Sequence, residues 1–244
     1  KTEKSAKKSV PVPSEETELT EAVALVAASH GAFEPVEKVE DITQLLFRNR
    51  GLESLATPRT VPFHRLAGSL EILSLSSNRL KDIEPLSSLV SLVEVNINFN
   101  QIVDISPLFE CEMLEKLFAS HNSISSISGL EDGCPQICEL SLLANRLDHI
   151  ESLSESLRGL PELRSLDLGQ NPCMEGSGAR YSLLQALPRL EQLDRSQVTN
   201  LDRSLASSFL QSRGSWGSGD GSAPGATGGG TGAESGAGSS ASAD

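Results

Sequence analysis

The chain has 244 residues and carries 33 Asp+Glu against 20 Lys+Arg, a formal net charge of −13. An acidic surface repels phosphate backbones, and with 4% aromatic residues there is little to stack on bases, so direct nucleic-acid contact is not expected. No apolar run approaches the roughly 20 residues that span a bilayer, no charged-then-apolar leader pattern opens the chain at Lys1, and four cysteines in this length make no disulfide framework, so a reducing, cytoplasmic setting without membrane contact is expected.

Residues 1–13 begin with Lys1, Lys4, Lys7 and Lys8, the composition of a solvated basic tail. Ser14 followed by Glu15 and Glu16 has the pattern of a helix N-terminus, with carboxylates against the positive end of the dipole. Leu19, Ala22, Val23 and Val26 then recur at helical spacing, and Gly31 offers a stop. Residues 14–38 are therefore expected to hold a capping helix; a free partner-binding helix is the alternative.

From residue 39 to about 203 a single frame recurs. Asn78, Asn100, Asn122, Asn145 and Asn171 follow one another at steps of 22, 22, 23 and 26 residues, each with apolar residues five and three positions before it. The second frame reads Leu92, Val95, Ile97, Asn100, Ile102, Ile105, Leu108, and a degenerate copy, Ile42, Leu45, Phe47, with Arg50 in the Asn slot, precedes the first. The L-x-L segment alternates with period two, so it predicts a short strand with its leucines inward. A unit this short cannot bury those residues alone, but stacked neighbours share one continuous core. Each Asn falls where the chain turns away from the strand, and its amide can satisfy backbone groups of adjacent coils.

The 28-residue step from Arg50 to Asn78 predicts an insertion loop over Thr57 to Pro62. Arg59-Thr60-Val61-Pro62-Phe63 there resembles a phosphatase-docking motif, basic-x-Val-x-Phe. Docking of that kind needs backbone N–H groups and Pro62 removes one, so Val61 and Phe63 are expected to pack under the loop instead. The 26-residue step to Asn171 holds Leu157, Leu160 and Leu163, which suits a longer convex helix. Residues 204–244 are read as a Gly/Ser/Ala-rich disordered tail, too poor in apolar surface to order itself.

These frames resemble the leucine-rich-repeat family, in its 22-residue subclass typified by a regulatory subunit of type-1 protein phosphatase. The resemblance implies an α/β solenoid: a right-handed horseshoe with a parallel concave sheet and helical caps. Asn171-Pro172-Cys173, Tyr181, Leu184, Leu187-Pro188, Leu190 and Leu193-Asp194 resemble the C-terminal cap of that subclass from about residue 169, with Arg195 where the family has Gly. Tyr181 and the leucines would then close the last core edge.

No constellation for catalysis, metal or cofactor appears, and none of these is expected. His30, His64, His121 and His149 fall at unrelated positions of the frame. Cys111 and Cys134 stand in the slot that Leu89 and Leu160 fill elsewhere, so they read as small buried apolar residues, and Cys138 and Cys173 add no zinc-like pairing.

The residues flanking the inward pair should line the concave face, and nine of them are the expected partner contacts: Leu46, Arg48, Ile72, Glu94, Asn96, Lys116, Phe118, Glu139 and Leu143. Leu46, Ile72, Phe118 and Leu143 are apolar without structural need there; they are either an anchor or ordinary surface, open or covered by the N-terminal helix. The expected function is a protein-binding adaptor, a monomer within a larger complex. The short helix, repeats and cap together resemble repeat proteins of cilia, flagella and microtubule assemblies. A phosphatase regulatory subunit and a ribonucleoprotein component, like the spliceosomal repeat protein with a similar cap, are the alternatives.

Overall fold

The computed structural model describes residues 18–29, 36–176 and 178–214. The basic segment 1–13, Ser14 and its glutamates, Gly31 and the segment from 215 lie outside these residues. Each frame yields one three-residue strand: β1 (Gln44–Leu46), β2 (Ile72–Ser74), β3 (Glu94–Asn96), β4 (Lys116–Phe118), β5 (Glu139–Ser141) and β6 (Ser165–Asp167). Two shorter strands, β7 (Gln192–Leu193) and β8 (Ser196–Gln197), complete an eight-stranded sheet ordered as in the chain. Pairing is parallel from β1 to β7, and only β8 turns back antiparallel. This is a leucine-rich-repeat solenoid.

The register aligns the inward residues coil by coil. Leu45, Leu73, Val95, Leu117, Leu140, Leu166 and Leu193 stand side by side, all buried. Two residues on, Phe47, Leu75, Ile97, Ala119, Leu142 and Leu168 form a second buried row. Each large side chain removed from water here contributes about 1.5–3 kcal/mol, and no coil could gain it without its neighbours.

After the second inward residue the chain reverses through a left-handed residue in every coil: Asn49, Ser77, Phe99, His121, Ala144 and Gln170, with φ between 52° and 58°. The next position is the repeated asparagine, and it turns inward. Asn145 Nδ2 donates to the carbonyls of Ala119 (2.9 Å) and Leu142 (2.9 Å), while its Oδ1 accepts from Ile124 N (3.0 Å). Asn78, Asn100, Asn122 and Asn171 repeat this arrangement, each stitching its own coil to the one before. Arg50 lacks the amide, and its guanidinium lies 5.8 Å from the Phe47 ring centroid instead. Past Asn171 the chain closes differently: Asp194, one residue after Leu193, accepts from Leu168 N at 2.8 Å through Oδ1.

The convex side follows the repeat lengths. The 22-residue coils return through 3-10 turns, Glu84–Ser88 and Ser106–Glu110, each with Pro near its start. The longer coils carry helices α2 (Leu130–Gly133) and α3 (Ile150–Arg158). Gly133 is required there, since a Cβ would lie 2.2 Å from the Phe109 carbonyl oxygen. Cys111 and Cys134 are buried as expected, their thiols donating to the carbonyls of Leu89 (3.3 Å) and Leu108 (3.2 Å). Burial pushes these thiols up to about 11 and about 12. No helix among the described residues is long and apolar enough to cross a membrane.

Both caps depart from the expected boundaries. Helix α1 spans Glu21–Ser29, and the Thr20 hydroxyl accepts from Val23 N (3.3 Å) at its start. Leu19 is not on the helix: its carbonyl accepts from Val61 N (2.8 Å), and Thr20 bridges Thr60. That shifts the phase of the expected stripe. Ala24 is the fully buried residue of α1, whereas Ala22 is exposed and Val26 is 61% exposed. Arg65 clamps the cap by binding both Glu21 and Glu40, and its hydrogen bond holds the Glu40 carboxyl below the usual range.

At the other end α4 (Ala179–Ala186) is followed by α5, which runs Asn200–Gly214. The tail expected from 204 therefore begins inside a helix. A capping box starts it: Asp202 Oδ2 accepts from Thr199 N (2.8 Å), and Thr199 Oγ1 accepts from Asp202 N (3.2 Å). Ala206 is buried, Phe209 packs on the half-buried Tyr181 ring (centroids 4.8 Å apart), and Arg203 donates to the carbonyls of Leu184, Leu187 and Leu190.

Replacing Asn145 with Ala leaves the Ile124 N–H unpaired, whereas the carbonyls of Ala119 and Leu142 each keep a bond from Asn122 or Asn171. At about 1–3 kcal/mol for an unpaired buried group, a urea titration of Asn145→Ala should show unfolding free energy lowered by about 1–3 kcal/mol at an unchanged urea slope.

Candidate partner-binding surface

Because side chains alternate along each strand, the residues on either side of the buried row face away from the core. The register sets them in two columns. One runs Gln44, Ile72, Glu94, Lys116, Glu139, Ser165; the other runs Leu46, Ser74, Asn96, Phe118, Ser141, Asp167. Seven of the nine sequence-selected residues occupy these columns, and Arg48 and Leu143 follow one position after the inward row.

The columns do not hold one continuous apolar patch. Leu46 belongs to the N-terminal end, where it and Phe47 line a groove of about 520 Å³ with Ala22, Val23, Val26 and Ala27 of α1. Arg48 lies nearby and donates through Nε to Ser74 Oγ (2.7 Å). Ile72 is half-buried on the next strand. Glu94 and Lys116 face each other across β3 and β4 at 3.6 Å, and Asn96 Oδ1 accepts from Asn98 N (3.2 Å). These polar residues separate the two ends.

Phe118, Glu139 and Leu143 are brought together farther along. With Ser120, Ser141 and Asp167 they line a depression of about 370 Å³. Its rim holds a feature absent from the expected contacts. Phe99 and His121 stack with ring centroids 4.3 Å apart and an interplanar angle of 9°. Both occupy the left-handed slot just before the repeated asparagine, and Phe99 remains 53% exposed. The signal was in the sequence: Phe99-Asn100 and His121-Asn122 place two rings in the same slot of consecutive coils.

Carboxylates dominate the chemistry around it. Asp167 Oδ2 meets Arg195 Nε at 3.3 Å. Glu139 forms no ion pair within 4.0 Å among the described residues. The docking-like segment at Arg59–Phe63 contributes nothing to this face: Val61 and Phe63 are buried at 1% and 5% exposure, as part of the N-terminal closure.

The sequence of residues 69–110 matches a family model described as leucine-rich repeats in two copies. Among curated relatives, the human cilia- and flagella-associated protein 410 is 41% identical over 97 residues, covering 39% of this chain and 37% of that protein. Leucine-rich repeat-containing protein 23 of Xenopus tropicalis is 34% identical over 100 residues, covering 41% of this chain and 28% of that protein. The matches thus span well under half the length of these relatives. Among solved structures, a chain of the Drosophila melanogaster SNF/U2A′ complex superposes with a TM-score of 0.50 at 26% identity, covering 57% of this chain and 82% of that one.

The two faces of β4 should respond differently to truncation. Leu117→Ala removes a fully buried side chain and should lower unfolding free energy by about 2–5 kcal/mol. Phe118→Ala, on the half-buried outer face, should lower it by no more than about 1 kcal/mol in the same titration.

Proposed function

We propose that this leucine-rich-repeat solenoid is a non-catalytic adaptor that holds a protein partner on its concave face, within a ciliary or microtubule-associated assembly. The observation that carries the reading is the depression on the strand face, where Phe118 and Leu143 lie beside the exposed Phe99–His121 stack. Apolar and aromatic side chains grouped in a rigid concavity are the features of an interaction hot spot. The strands beneath are locked by the asparagine ladder, so binding there costs little ordering of the adaptor. The ciliary setting is supported by relatives whose names place them with cilia and flagella.

A ribonucleoprotein role is the second reading, favoured by the likeness to a chain of the SNF/U2A′ complex. The formal charge of −13 favours contact with a protein over direct contact with RNA.

The test is a comparison of proteins captured from ciliated cells by the full chain and by the Phe118→Glu/Leu143→Glu double variant, with matched circular dichroism spectra. Loss of axonemal or microtubule-associated proteins from the variant is the expected result. Loss of splicing subunits would establish the second reading, and loss of phosphatase activity would point to a regulatory subunit. An unchanged set would rule out the concave face.

A further inference from the structure

Resting on the adaptor reading, we infer that the depression over the third to fifth coils takes an arginine side chain of the partner. Its guanidinium meets Glu139, and its aliphatic stem lies on Phe118 and Leu143.

The first support is an arrangement that folding alone does not explain. Every coil needs a left-handed residue before its asparagine, and elsewhere the slot holds Asn49, Ser77, Ala144 or Gln170. Asparagine and histidine tolerate that conformation well, whereas a bulky residue such as phenylalanine is an outlier in it. Phe99 and His121 adopt it with φ of 57° and 55°. Phe99 stays 53% exposed, so core burial does not compensate for the strain. The pair forms a flat aromatic rim beside the depression.

The second support is charge. The ionised side chains lining the depression are Glu139, Asp167 and Arg195, an excess of one negative charge, and Asp167 is engaged by Arg195. Glu139 has no ion-pair partner among the described residues, so it is the carboxylate open to an incoming cation. The hydroxyls of Ser120 and Ser141, 2.8 Å apart, make the floor polar, which disfavours a purely aliphatic occupant. An arginine satisfies each part of this lining. Its guanidinium pairs with carboxylates through two parallel N–H donors, stacks on aromatic rings, and is less strongly hydrated than an ammonium group. A partner carboxylate would be repelled.

The experiment uses the full chain and three blocked pentapeptides, Gly-Leu-X-Leu-Gly, with X as arginine, citrulline or lysine. Binding is followed by NMR of the Phe99 and His121 ring signals. The arginine peptide should bind about 5-fold tighter than its neutral citrulline isostere, the range of a partly screened ion pair, with the lysine peptide between them. Glu139→Gln should abolish that difference. Phe99→Asn should weaken binding of the arginine peptide while leaving the thermal midpoint unchanged or higher, a response that a merely structural ring would not give. Equal binding of arginine and citrulline peptides, or a preference that survives Glu139→Gln, overturns the inference. Should that occur while the Phe118→Glu/Leu143→Glu variant still loses its cellular partners, the arginine anchor falls and the adaptor reading stands. An arginine preference alongside unchanged cellular capture would retain the arginine chemistry of the depression and overturn its assignment to a partner held on the concave face.

Discussion

Where five successive coils leave their strands, backbone groups are buried that no neighbouring strand reaches, and one asparagine amide in each of the five settles them. Nδ2 of Asn122 donates to the carbonyls of Ile97 and Ala119, and its Oδ1 accepts from Ile102 N. An amide both donates and accepts from one planar group, so this position can join two coils at once. Strands of three residues make too few ladder bonds to fix their own stagger. The asparagines fix it for them. Leucine burial supplies the driving force, but burial is non-directional and would tolerate many stackings. Unpaired backbone groups would penalise all of those that misalign the amide.

The surface inherits its geometry from that constraint. An inward asparagine requires the preceding residue to turn left-handed, so the same slot recurs beside the concave face in each coil. Two of those slots hold aromatic rings, and coil spacing stacks them. The outward residues likewise fall into columns because their strands are held in register, which gathers Phe118, Glu139 and Leu143 into one depression. The left-handed Phe99 and the proposed binding chemistry thus lie where the structure is held most firmly. A rigid face of this kind discriminates by what it presents, with little adjustment.

Much of this was legible in the chain. The asparagine spacing gave the coil boundaries, and period-two alternation separated the buried row from the outer columns residue by residue. Leu193-Asp194 marked the C-terminal cap, and Leu193 takes in β7 the place that Leu166 holds in β6. The caps were less legible, for physical reasons. Helix α5 has a capping box at Thr199 and Asp202, but its interior is rich in serine, and what holds it is tertiary: the Phe209 ring on Tyr181 and Arg203 on the carbonyls after α4. At the N-terminal end, Leu19 fits a helical stripe by spacing, yet a bridge between Thr20 and Thr60 keeps it extended. Such long-range pairing leaves no periodic signal. The Phe99–His121 stack lies outside the alternating pattern, since strand alternation stops before the slot they share.

Native-state hydrogen exchange on the full chain tests the central claim most directly. The amides of Leu80, Ile102, Ile124 and Leu147 each donate to an asparagine Oδ1 of the following coil. If the ladder is what holds the coils in register, these amides exchange only through global unfolding, with the same denaturant dependence as the strand amides beside them. Exchange through local opening, insensitive to denaturant and as fast as in the exposed convex turns, would contradict it.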